Sequence, residues 1–123
     1  MSHIINQFIG SISTPYGNAT IHIGRYPSGG AIAVELWLDA NTQDGWTFST
    51  NLVPSGAHIA DDEFTVKTWS ENEPLVETML ATHLFEDTGR RISTGYVQAP
   101  VWRVRDPRHI PPVRRRTALF EIS

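Results

Sequence analysis

The chain contains no cysteine, which excludes disulfides, thiolate metal sites and a cysteine nucleophile together. That fits a reducing compartment, so a cytoplasmic location is expected. No apolar run approaches the ~20 residues that span a bilayer. The first residues, Met1-Ser2-His3-Ile4-Ile5-Asn6, lack the basic start and apolar stretch of a signal peptide. No membrane partner is therefore expected. Bases are also scarce over most of the length: residues 1–89 hold only Arg25 and Lys67 against eleven acids. The remaining bases crowd the other end, where Arg90, Arg91, Arg103, Arg105, Arg108, Arg114, Arg115 and Arg116 face only Asp106 and Glu121. The two segments carry −9 and +6, within a net charge of −3 for the whole chain. Charge of one sign gathered in one place speeds encounter with an oppositely charged partner, so the asymmetry points to electrostatic docking.

With 123 residues, 40% of them hydrophobic, the chain fits one globular domain with one core. The expected organisation is a single domain over residues 1–104, followed by an Arg/Pro-rich C-terminal extension over 105–123. Pro107, Pro111 and Pro112 lie among the arginines of that extension, so residues 105–116 are expected to be extended or disordered.

The first half reads as strands punctuated by turns. Ile21 and Ile23 alternate with Thr20 and His22, and an apolar stretch at 4–12 pairs with them across the turn Pro15-Tyr16-Gly17-Asn18. Ile32, Val34, Leu36 and Leu38 alternate with Ala33, Glu35 and Trp37, which predicts a half-buried strand with Trp37 facing outward. Residues 46–52 read as a fourth strand and 64–69 as a short fifth. Leu75, Val76, Met79, Leu80 and Leu84 then recur on one face of a helix that starts near Asn72 or Glu73, with Pro74 in its first turn and Gly89 closing the region. Residues 96–104 return to an extended pattern, and 117–122 are apolar enough to dock as a terminal strand. The fold class is therefore α+β: an antiparallel meander of about five to six strands with one main helix packed on one face.

Few sites for chemistry stand out. The five histidines have no metal-ligand spacing on a predicted element, although His58, Asp61 and Asp62 share one loop. No serine sits in a nucleophile elbow. Gly29-Gly30 precedes a strand, which is the wrong context for a phosphate loop. His22 and Glu35 can share one sheet face as an acid–base pair, and two solvated polar residues explain them equally well. The expectation is a protein that is not an enzyme and has no metal and no cofactor.

Docking residues follow from charge. On the acidic body the candidates are Asp61, Asp62, Glu63, Glu71 and Glu73, which would present carboxylates to the basic, nucleic-acid-binding surface of a partner. On the basic segment they are Arg105, Arg108, Arg114, Arg115 and Arg116. These would grip phosphate through paired N–H bonds while Tyr96 and Trp102 stack on bases. A third reading folds the arginines back on the acids of the same chain.

The stretch Trp69-Ser70-Glu71-Asn72-Glu73, the leucine-rich helix after it, Thr88-Gly89-Arg90 and Gly95-Tyr96-Val97 resemble a family of small proteins of unknown function carried by phages, plasmids and other mobile elements. The resemblance covers residues 37–104 and implies a context without catalytic residues. In that context small proteins often bind a host protein, including antiviral components such as CRISPR effectors. The resemblance therefore implies an anti-defence inhibitor or adaptor, with a host protein or protein–nucleic-acid complex as partner. A direct nucleic-acid binder is the alternative, and a small enzyme or ligand-binding domain comes third.

Overall fold

Alternation in the first half of the chain translates into a sheet with one apolar face. The computed structural model describes residues 7–38, 45–95 and 97–113. β1 (Gln7–Thr14), β2 (Gly17–Arg25), β3 (Ile32–Leu38) and β4 (Gly45–Thr47) form an antiparallel sheet in sequence order. Register mates Ile21 and Leu36, and Ile23 and Val34, point to the core. On the opposite face Phe8, His22, Glu35 and Thr47 form one cross-strand row.

The strand expected at 46–52 is bent. After β4 the chain breaks at Phe48 and continues as β5 (Ser49–Thr50), which opens a second antiparallel sheet with β6 (Glu63–Val66), β7 (Phe85–Thr94) and β8 (Val97–Val104) in the order β5-β6-β8-β7. Phe48 still donates its N–H to the Val34 carbonyl at 2.8 Å, and its own carbonyl accepts from Lys67 at 2.9 Å. Residues 45–50 thus bond to β3 on one side and to the β6 segment on the other. One core cluster joins Ile21, Ile23, Val34 and Leu36 of the first sheet to Phe64, Phe85, Trp102 and Val104 of the second. The antiparallel α+β expectation holds, with eight strands in two four-stranded sheets among the described residues.

The helix is shorter than its leucine stripe. A 3₁₀ turn, Ser70–Leu75, carries Pro74, and α-helical bonding begins only at α1 (Val76–Ala81), because proline has no N–H for the ladder. Leu75 and Met79 are fully buried, and α1 lies against β1 and β7, the outer strands of the two sheets. The expected stop at Gly89 is displaced. The helix ends at Thr82, whose hydroxyl donates to Met79 O at 2.6 Å, and His83 turns the chain at φ 62°. Leu84 therefore leaves the helix and packs on the edge of the core from the loop.

β7 was not among the expected strands. Its residues are mostly exposed and polar, and a bulge between Asp87 and Arg91 interrupts its pairing with β8. Gly89 sits inside that bulge at φ 87°, the left-handed conformation that glycine adopts without strain.

The described part of the C-terminal segment is ordered against the body. Pro107–His109 form a 3₁₀ turn capped by Asp106, Ile110 packs against the core, and Pro111 is buried. The expected terminal strand at 117–122 lies outside the described residues.

Candidate functional site

Among the described residues, folding brings the charges that the sequence separates back together. Arg103 stands on the central strand β8 with Glu63 opposite on β6 and Glu86 opposite on β7. Its Nη1 meets Glu86 at 3.0 Å, its Nη2 meets Glu63 at 3.3 Å, and Nε lies 3.5 Å from Asp62. Glu63, only 4% exposed, also accepts from Arg90 at 2.8 Å and from the Ala60 N–H at 2.9 Å. Burial alone would raise the Glu63 pKa. The Ala60 N–H, Arg90 and Arg103 outweigh it and hold the carboxyl below its ordinary value.

The remaining described arginines are engaged as well. Arg91 pairs with Asp87 at 3.1 Å, and Arg105 comes within 4.0 Å of Glu86. Arg108 grips Asp106 in a two-pronged contact of 3.1 and 2.8 Å, which together with the Arg108 N–H lowers the Asp106 carboxyl to about 2. Arg25 gives its N–H groups to the carbonyls of Gly30, Asp61 and Pro111, tying three separate segments together. It borders a surface groove of about 250 Å³ between residues 29–31 and 57–61, but its donors are already committed to backbone.

The sequence-derived candidates therefore separate. Asp62 and Glu63 are bound up in the arginine network, and the backbone carbonyl of Asp61 takes a bond from Arg25. Glu71 pairs with Lys67 at 3.0 Å. The Glu71 N–H, the Ser70 hydroxyl and Lys67 keep its carboxyl below the ordinary value. Glu73 is exposed on the 3₁₀ turn, and Glu77, which the charge argument passed over, is exposed on α1. Neither has an ion-pair partner among the described residues. Arg105 and Arg108 are exposed but paired, and Arg114, Arg115 and Arg116 lie outside the described residues, as does Tyr96.

Trp102 cannot stack on a base. It is 1% exposed and packs against Phe48, Phe64 and Phe85 with ring centroids 5.5, 6.3 and 6.2 Å away. Alternation on β8 places it beside Val104 on the core side, and its aromatic mass belongs to packing. Among the described residues no three His, Asp or Glu side chains converge as a metal site, His58, Asp61 and Asp62 included.

On the outer face of the first sheet, His22 and Glu35 are register partners. Trp37 was expected to face outward, and it does so with its Nε1 donating to Glu35 Oε1 at 3.3 Å. Its ring covers Gly45, where any side chain would collide with it. The His22 ring meets Trp37 and Phe8 edge to face, at centroid distances of 6.3 and 5.9 Å. The Thr20 hydroxyl lies 2.8 Å from His22 Nε2 and 3.3 Å from Trp37 O. Burial lowers the His22 pKa, and the nearby Glu35 only partly offsets this, so the ring is neutral near pH 7. No hydrogen bond joins His22 to Glu35 among the described residues, so the row lacks an acid that orients the ring as a base. Phe8 belongs to the apolar stretch at 4–12, yet it is 59% exposed. The bulge between Phe8 and Gly10 turns it outward while Ile9 stays inside, and spacing alone does not reveal such a bulge.

No helix among the described residues is long and apolar enough to cross a membrane. No protein-family model matches the chain, and neither a curated protein nor a solved structure resembles it significantly.

Proposed function

We propose that this protein is a non-enzymatic interaction module that docks through surface carboxylates onto a basic partner. In the context implied by the sequence resemblance, it acts as a mobile-element inhibitor of a host defence or nucleic-acid-handling complex. One observation carries the reading: the described arginines of the basic segment are engaged by carboxylates of the same chain, whereas Glu73 and Glu77 have no such partner among the described residues. A phosphate would have to displace an existing carboxylate from each of those arginines. A basic protein surface meets Glu73 and Glu77 without competition from a described base. The docking residues are therefore Glu73 and Glu77, with Glu71 behind them, rather than the Asp61–Asp62–Glu63 cluster that the sequence alone favours equally.

Affinity capture from a host lysate, with the wild-type chain and a Glu73→Lys/Glu77→Lys variant side by side, tests this. The expected result is a nucleic-acid-binding protein that is retained by the wild type, released by salt and not retained by the variant. Fluorescence anisotropy on labelled duplex and single-stranded DNA tests the competing reading. If Arg114, Arg115 and Arg116 each neutralise one phosphate, binding to duplex falls with log salt at a slope of about −2.7. Such binding, undisturbed by the double reversal, would replace protein docking with direct nucleic-acid binding.

A further inference from the structure

Glu35 is a carboxylate in an aromatic setting with an unspent oxygen. Its Oε1 accepts from Trp37 at 3.3 Å, while Oε2 has no partner among the described residues. Trp37 lies beside it on β3, and His22 faces it from β2 and carries Phe8 on its far side. Glu35 gives this patch its negative charge, and its flanks are ring surfaces.

We propose that the outer face of the first sheet is a receptor for one arginine side chain of a partner protein, seated between Glu35 and the ring of Trp37 with Phe8 as its outer wall. A guanidinium is the cation that suits this setting. Its planar fork can bond a carboxylate while its face stacks on an indole, whereas an ammonium does only the first of these well. The site is preorganised: the Trp37 N–H orients the carboxylate, and the fit of Trp37 over Gly45 fixes the ring. His22 on its low side of neutrality adds no positive charge to repel the incoming cation. The assignment rests on the reading of the chain as an interaction protein and names a chemical group on the partner.

The test is titration of the full ¹⁵N-labelled chain with acetyl-Gly-Arg-Gly-amide, following the indole N–H signals of the tryptophans by NMR. The expected result is a saturable shift of the Trp37 indole signal. The peptide with citrulline in place of arginine, which keeps the shape and loses the charge, should give none. Glu35→Gln should abolish the shift and Phe8→Ala should weaken it at least threefold, while unchanged Trp46 and Trp102 signals verify the fold. Equal or tighter binding of the lysine peptide would overturn the guanidinium assignment. Binding that appears only after Arg114, Arg115 and Arg116 are changed to glutamine would overturn the partner and make the chain's own arginines the occupant. No Trp37 shift with any peptide, while docking that depends on Glu73 and Glu77 persists, would remove this site and leave the wider reading standing. Loss of both would remove the two together.

Discussion

The indole N–H of Trp46 on β4 donates to Oδ1 of Asn72 at 2.9 Å, and Asn72 Nδ2 returns a bond to the Thr47 carbonyl at 3.1 Å. This fully buried amide clips the 3₁₀ turn to the edge of the first sheet. Replacing Asn72 with alanine strands the part-buried Trp46 indole N–H and Thr47 carbonyl, each costing about 1–3 kcal/mol. Asn72→Ala should therefore lower unfolding free energy in urea by about 2–4 kcal/mol. A loss under ~1 kcal/mol would mean that water replaces both bonds.

Glu63 is the buried end of a network whose arginines are half exposed. When Glu63 is removed, Arg90 and Arg103 can return to water, so Glu63→Gln should cost about 1–3 kcal/mol rather than the full penalty of a stranded buried charge. Because the folded state holds Glu63 below its ordinary value of 4.5, its contribution is present above that pH and is lost as pH falls through the lower folded value. Wild type and Glu63→Gln should accordingly converge in thermal midpoint on acidification. Parallel curves down to acid would sink the linkage.

His22 gives the opposite case of a base with a depressed folded pKa. The unfolded chain binds its proton more readily, so the stability difference is absent above the ordinary value of 6.5 and grows as pH falls from there to the folded value. His22→Gln should flatten the loss of thermal midpoint that the wild type suffers over this window, and leave the curve above it unchanged in slope. ¹H NMR titration of the His22 ring should give a midpoint under 6.5; a higher one would contradict the burial argument.

Core and rim of the helix should separate on truncation. Leu36 and Met79 are completely buried, so alanine at either should cost ~2–5 kcal/mol. Leu80 only packs against the cluster from its edge, and Leu80→Ala should cost about 1 kcal/mol. Equal losses at Leu80 and Met79 would mean that the helix is rotated.

His83 holds φ 62° without being glycine, a conformation that costs an L residue about 1–2 kcal/mol. His83→Gly should raise the urea midpoint by up to ~1 kcal/mol of stability, because glycine's gain at this φ is offset in part by the freedom it gives the unfolded chain. His83→Val should lower it. The reverse order would show that the imidazole contributes a contact that outweighs the strain.

Strands with one buried face were legible, because alternation at Ile21, Ile23, Val34 and Leu36 is what burial of a single face writes into a sequence. The outward placement of Trp37 follows from the same rule. β7 was not legible, since Glu86, Asp87, Arg90 and Arg91 form it without an apolar period; backbone pairing with β8 and a glycine bulge hold it in place. The bend at Phe48 was hidden for a related reason: Trp46, Phe48 and Thr50 keep strand period through a point where the hydrogen-bonding partner changes. The docking residues were legible only as a charge count. The pairing of Arg103 with Glu63 and Glu86 depends on register between strands distant in sequence, and it decides which carboxylates remain for a partner.

The second sheet places its last strand in its middle: β8 lies between β6 and β7. During vectorial synthesis the first sheet, built from neighbours in sequence, can assemble as its strands emerge. β6 must wait for β8, some thirty residues of chain later, before its outer edge and the underside of Glu63 are covered. A nascent chain paused before Val97 would therefore expose an open strand edge beside Phe64, the kind of edge that recruits other chains. Ribosome pausing in that interval, rather than after Val104, is where this fold is most exposed to misassembly.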